Sequence, residues 1–161
     1  MSLVRIALDI AIISTGLFTG LLLTMLFIFQ PVLDQLSATE YAELMQRFLK
    51  VARRSPLNIA LMFVSLLAPI PTLFSFYQSS NWLAFVSVLI GVTIFFIGMF
   101  LVSRFFNEPL YDQILGWTIQ ALPTNWQTAR QQWHFLNLIR AFASGTTFLL
   151  FLIILSVSTF P

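Results

Sequence analysis

Trp126, Arg130, Trp133, Asn137 and Arg140 follow one another at steps of four, three, four and three, the spacing of a single stripe along an α-helix. The stripe combines two indoles, an amide and two guanidiniums, and it leads directly into an apolar run over residues 141–160. Indole rings suit a flat apolar ligand. A guanidinium can hold an oxyanion or a phenolate, and an amide can add a hydrogen bond to the same oxygen. Imidazole is the side chain best suited to moving a proton near neutral pH, and His134, the one histidine of the chain, lies on the flank of the stripe. Gln30, Asp34, Asn107, Tyr111 and Asp112 fall in the stretches expected at the same membrane face and complete the candidate set. Plainer readings stand beside these. Tryptophan at a membrane interface is usually an anchor, Arg140 can pair with Glu108 or Asp112 or reach toward headgroups, and a lone interfacial histidine is more often a bystander than a base.

Other chemistries are excluded by what the chain lacks. With no cysteine there are no disulfides and no thiolate ligands or nucleophiles. One histidine does not make a catalytic zinc site, and the Glu-x-x-His pairs of a di-iron bundle do not occur. Neither a phosphate-binding glycine loop nor a Gly-x-Ser-x-Gly elbow is present. No metal and no cofactor are therefore expected. A formal net charge of +2 offers no case for nucleic acid.

The elements that must position the stripe are membrane helices. The 161 residues are 58% hydrophobic and 9% charged, against about 25% charged in a soluble domain. Runs near the ~20 residues of a bilayer span predict an all-α, single-domain, integral membrane four-helix bundle, with spans at about residues 5–29, 57–77, 83–103 and 139–159. Gln30 and Pro31 should end the first span; Pro69 and Pro71 should kink the second. Two interfacial amphipathic helices are expected, at about 38–53 behind a capping box of Ser37 and Glu40, and at about 109–121. Thr124 and Gln127 suggest a second capping box, and the last helix should extend from about residue 125. Arginines and Lys50 concentrate in the loops 30–56 and 104–138, which the positive-inside rule places in the cytoplasm with both termini opposite.

Around the stripe the chain resembles the anthrone oxygenase-like family of small four-span membrane proteins. The residues that carry the resemblance are Phe106, Asn107 and Pro109 after the third span, Trp126, and then Trp133, Asn137 and Arg140 leading into the last span, with Gln30-Pro31 a weaker echo. The match covers residue 105 onward well and the first half by layout. One departure is clear: the family often has Pro-x-Asn after the third span, where this chain has Pro109 and then Tyr111, with Asn107 on the other side of the proline. The resemblance implies a cofactor-independent oxygenase of a polycyclic phenol. In that picture Arg140 and Asn137 hold an enolate oxygen, Trp126 and Trp133 stack the rings, and His134 or Asp112 takes the proton. Arg130, Asn107 and Tyr111 would join the binding set.

Two functions of different class follow. The first is a membrane enzyme or binder for a flat, apolar, phenolic or quinone-like molecule at the membrane interface. The second is a non-catalytic subunit that packs against lipids, a second copy or a larger membrane complex, for which the Gly-x-x-x-Gly step at Gly16 and Gly20 and the 18 phenylalanines speak.

Overall fold

Helix boundaries in this chain are set by capping side chains and by where prolines can be absorbed. A computed structural model describes residues 3–158 and contains five helices: α1 (Leu3–Asp34), α2 (Ala38–Ala52), α3 (Pro56–Gln78), α4 (Trp82–Leu115) and α5 (Trp126–Val157). The expected end of the last span near residue 159 lies outside the described residues. No strand occurs among the described residues beyond an isolated bridge between Thr118 and Ala121. Helices α1, α3, α4 and α5 are long and apolar enough to cross a membrane, and the protein is an all-α, multi-pass membrane bundle.

The caps follow the local sequence. Ser37 and Glu40 form a complete capping box at α2, with the Ser37 amide donating to the Glu40 carboxylate at 2.9 Å. Ser55 caps α3 ahead of Pro56, and Asn81 caps α4 by accepting from the Ala84 amide. The expected box at Thr124 does not form. Helix α5 begins one residue later, with Asn125 in the capping position and no side-chain cap bond, so Gln127 falls a position short of reaching back. Pro69 interrupts α3, which resumes at Ile70.

Two prolines behave differently from expectation. Gln30 and Pro31 do not end the first helix, which continues to Asp34, and Pro109 does not open a separate interfacial helix. Residues 109–115 are the last turns of α4, and 116–121 are turn and loop. The reason is a π turn before each proline. Met25–Phe29 precedes Pro31, and Ser103–Asn107 precedes Pro109. The Gln30 amide then donates to the Met25 carbonyl, and the Glu108 amide to the Ser103 carbonyl, each five residues back. The wider turn lets the helix run past a ring that would clash with an ordinary α turn. A further π turn, Phe96–Leu101, lies in α4.

As a result α1, α4 and α5, at 32, 34 and 32 residues, are each ~50 Å long at 1.5 Å per residue, well beyond the ~30 Å of hydrocarbon. Their surplus lies at one end, where α1 and α4 finish and α5 begins. Helix α2 closes this end. Its apolar face turns to the bundle: Tyr41, Met45 and Leu49 are buried against Leu33, Leu110, Ile114, Ala129 and Trp133. Nearer the middle of the spans, Phe18, Leu22, Phe95 and Met99 form one apolar layer, and Leu8, Phe76, Val88 and Phe151 form another.

Small and hydroxylated residues stitch the spans together, as suits helices without a hydrophobic drive toward one another in lipid. Thr19 and Ser144 share a 2.8 Å hydrogen bond between α1 and α5, and Thr147 donates to the Gly91 carbonyl of α4. A Cβ at Gly98 would collide with that of Ala143, and one at Gly16 would meet the Phe148 ring, whereas one at Gly20 would meet nothing. Gly16, the first member of the Gly-x-x-x-Gly step, is thus used within the chain.

Gly98→Leu should therefore lower stability by about 1–3 kcal/mol, read as a lower unfolding midpoint in detergent, with Gly20→Ala leaving it unchanged. At α2, hydrogen bonds from the Ser37 hydroxyl and then the Ser37 amide hold the Glu40 carboxyl below the usual carboxylate range. A lowered folded value means the cap contributes above the unfolded value and is lost as pH falls through the folded one. Amide protection in the first turn of α2 should drop on acidification, and Glu40→Gln should remove that dependence.

Candidate functional site

The end capped by α2 holds a half-open cavity of ≈ 540 Å³, within the range of sites that hold small molecules. All five helices contribute: Phe18, Leu22 and Met25 from α1, Phe48 from α2, Asn58 and Met62 from α3, Phe100, Glu108 and Tyr111 from α4, and Trp133, Asn137 and Arg140 from α5, with Arg53 and Ser55 from the α2–α3 link. From the direction of each helix, Phe18, Met62, Phe100 and Arg140 belong to the membrane-side layer, and Phe48, Arg53, Tyr111 and Trp133 to the outer one. The hollow is apolar over most of its wall, with polar groups brought in by α3, α4, α5 and the link.

The α5 stripe divides in two. Trp133, Asn137 and Arg140 line the cavity. Trp133 is 2% exposed and is held edge-on by Phe29 and Phe48, with ring centroids 6.1 and 6.4 Å away. Asn137 is also buried; its amide donates to the Trp133 carbonyl at 3.1 Å, and its oxygen accepts from the Arg140 guanidinium at 3.0 Å. Arg140 makes no ion pair among the described residues, and its Nε has no partner there. It pairs with neither Glu108 nor Asp112.

The first two stripe members are engaged elsewhere. Arg130 lies over the rings of Trp126 and Tyr41, at 5.1 and 5.9 Å. It also donates to the Leu33 carbonyl at 3.2 Å and approaches Asp34 at 3.7 Å. Asp34 in turn accepts from Gln30 at 2.8 Å. Burial pushes the Tyr41 phenol in this cluster well above its usual value. Trp126, Arg130, Gln30 and Asp34 thus pin α2 and the end of α1 to α5, away from the cavity wall. His134 is half-buried off the wall, with Nδ1 unpartnered among the described residues.

On α4, Tyr111 lines the cavity and Asn107 sits buried behind it, donating to the Tyr111 hydroxyl at 2.9 Å. Asp112 faces out, its side chain 68% exposed. It shares Arg53 with Glu108: the guanidinium donates to Asp112 at 2.7 Å and closely to Glu108. The hydrogen bond to Asp112, ahead of Glu108, raises Arg53 above its ordinary value.

Arg53, Ser55, Asn58, Ser103, Arg104 and Glu108 line the cavity although stripe reasoning did not select them. One signal for Arg53 was available: Glu108 and Asp112 are four apart, a two-carboxylate face on one helix that calls for a cation. Ser103 and Arg104 lie in a π turn, which 3.6-residue periodicity cannot reveal.

The conjunction of four spans, the Asn107–Pro109 turn, and Trp133, Asn137 and Arg140 on one wall can be set against known proteins. The anthrone oxygenase family model matches residues 44–150, about two thirds of the chain. The chain belongs to the anthrone oxygenase family. The matched region runs from within α2 through most of α5 and so includes every cavity residue except those of α1. No curated protein and no solved structure matches the chain.

Arg53→Ala should remove both ion pairs between the α2–α3 link and α4. Because the groups are partly solvated, the loss should be about 1 kcal/mol or less, seen as a small drop in unfolding midpoint that salt reduces in the wild type and not in the variant.

Proposed function

We propose that this membrane protein oxidises a flat, phenolic or quinone-like aromatic with dioxygen, without a resident cofactor, in the cavity beneath α2. The observation that carries the reading is the shared wall of Trp133, Asn137 and Arg140 on a ≈ 540 Å³ hollow that is otherwise largely apolar, with Arg140 lacking a carboxylate partner among the described residues.

The chemistry asks little of the protein beyond proton transfer and charge stabilisation. A base removes a proton from an activated ring methylene, and the electron pair moves onto the conjugated carbonyl oxygen, giving an enolate. Arg140 is the group assigned to that oxygen. Asn137, bonded on one side to the Trp133 carbonyl and on the other to Arg140, positions the guanidinium. The enolate carbon then forms a bond to dioxygen; the peroxide takes up a proton and loses water, leaving a second carbonyl. Overall a ring CH₂ and O₂ become C=O and H₂O. We assign the proton acceptor to Glu108, the carboxylate of the cavity wall, oriented by Arg53, in preference to His134 and Asp112, which lie off the wall. The phenylalanines and Trp133 shape an apolar slot for rings.

The test is oxygen uptake and anthraquinone formation by the full-length protein in detergent or lipid discs, with anthrone as probe. Arg140→Ala should lower kcat by about 10²–10³-fold, and Arg140→Lys should recover part of it, with the unfolding midpoint retained. Wild-type protein that neither binds nor oxidises anthrone, or an Arg140→Ala variant as fast as wild type, would refute the proposal.

A further inference from the structure

Tyr111 stands two residues after Pro109, and an asparagine stands one turn earlier at 107. The structure joins the two. Asn107 is 1% exposed and takes no part in the cavity wall; Tyr111 does. They are four residues apart across the junction of the last π turn and the closing turns of α4. The Asn107 amide nitrogen donates to the Tyr111 hydroxyl oxygen at 2.9 Å. The amide turns its nitrogen to the phenol and leaves its own buried oxygen without a partner among the described residues; in this arrangement the phenol is the acceptor and its hydrogen is left for another partner. The hydroxyl gives that hydrogen to no acceptor among the described residues.

The geometry points to an Asn107–Tyr111 dyad in which the buried amide orients the phenol so that its O–H donates to an oxygen of the molecule in the cavity. This rests on the functional reading above and deepens it: the occupant's carbonyl oxygen must be reached by a donor from α4 as well as from α5. A guanidinium stabilises charge on its partner oxygen; a phenol adds a short, directional donor of the kind that counts most where charge gathers. Tyr111 is the residue that touches the substrate, and Asn107 is a positioning residue that acts through it.

The pair is tested with anthrone turnover and with equilibrium binding of anthraquinone, which offers carbonyl acceptors and undergoes no reaction. Tyr111→Phe should lower kcat about 10–100-fold with KM changed less than about threefold, and should weaken anthraquinone by about 5–10-fold, the worth of one hydrogen bond. Asn107→Asp is the diagnostic variant. An ionised carboxylate only accepts, so at a pH above its titration it turns the phenol hydrogen away from the cavity, and its loss should there match that of Tyr111→Phe at a retained unfolding midpoint. Asn107→Ala should lose less, and adding Asn107→Asp to Tyr111→Phe should cost no more than Tyr111→Phe alone. Full wild-type behaviour of Tyr111→Phe or Asn107→Asp, or a double variant worse than Tyr111→Phe, overturns the dyad while leaving the oxygenase reading standing. Wild-type protein that handles neither probe overturns the oxygenase reading, and the dyad with it.

Discussion

A backbone carbonyl left unpaired near the hydrocarbon costs several kcal/mol, and this constraint shapes the whole working end of the molecule. Pro31 and Pro109 would each orphan a carbonyl and press a ring against the preceding turn. Breaking the helix at those points would expose unpaired groups close to lipid. The chain widens one turn instead, at Met25–Phe29 and at Ser103–Asn107, and lets the helix run on. The long ends of α1 and α4 exist because of this, and they give α2 and the start of α5 something to pack on. Without them there would be no roof and no cavity beneath it.

The same turns decide which side chains face inward. Each π turn inserts about one residue into the winding and so rotates everything after it by roughly 100° relative to an unbroken α-helix. Met25, Phe100, Ser103 and Arg104, all within π turns, line the cavity. Glu108 and Tyr111 come after two such turns in α4 and reach the wall through the rotation they impose. Local irregularity of this kind is frequent at functional sites, and here it coincides with the hollow.

The two proline turns also echo one another. Gln30, Pro31 and Asp34 end α1 as Glu108, Pro109 and Asp112 stand near the end of α4. Each aspartate meets an arginine from the other half of the chain: Asp34 meets Arg130, and Asp112 meets Arg53. The two ends have diverged in what surrounds these pairs. Around Arg130 the space is filled by Tyr41 and Trp126. Around Arg53 and Glu108 it is open. One arginine serves as a clamp between helices, while the other borders the space a ligand would occupy.

Composition and hydropathy determined the membrane bundle, because a run of apolar residues long enough to span lipid has one stable backbone, the helix. Capping chemistry at Ser37 and Ser55 was equally local and equally readable. The grouping of Trp133, Asn137 and Arg140 was legible too, since three residues on one regular helix share a face whatever surrounds it. What lay beyond the sequence was every relation that passes through a turn of irregular pitch or between distant segments. Periodicity put Trp126 and Arg130 in the same stripe, but α2 covers that part of α5 and turns them to packing. It left Arg140 open to pairing with the carboxylates of α4, but Arg53 reaches them from the α2–α3 link. It split α4 at Pro109, but hydrogen bonding to a carbonyl five residues back holds the helix together. Those outcomes depend on which surfaces compete for one another once the chain is folded, and only the tertiary arrangement decides that competition.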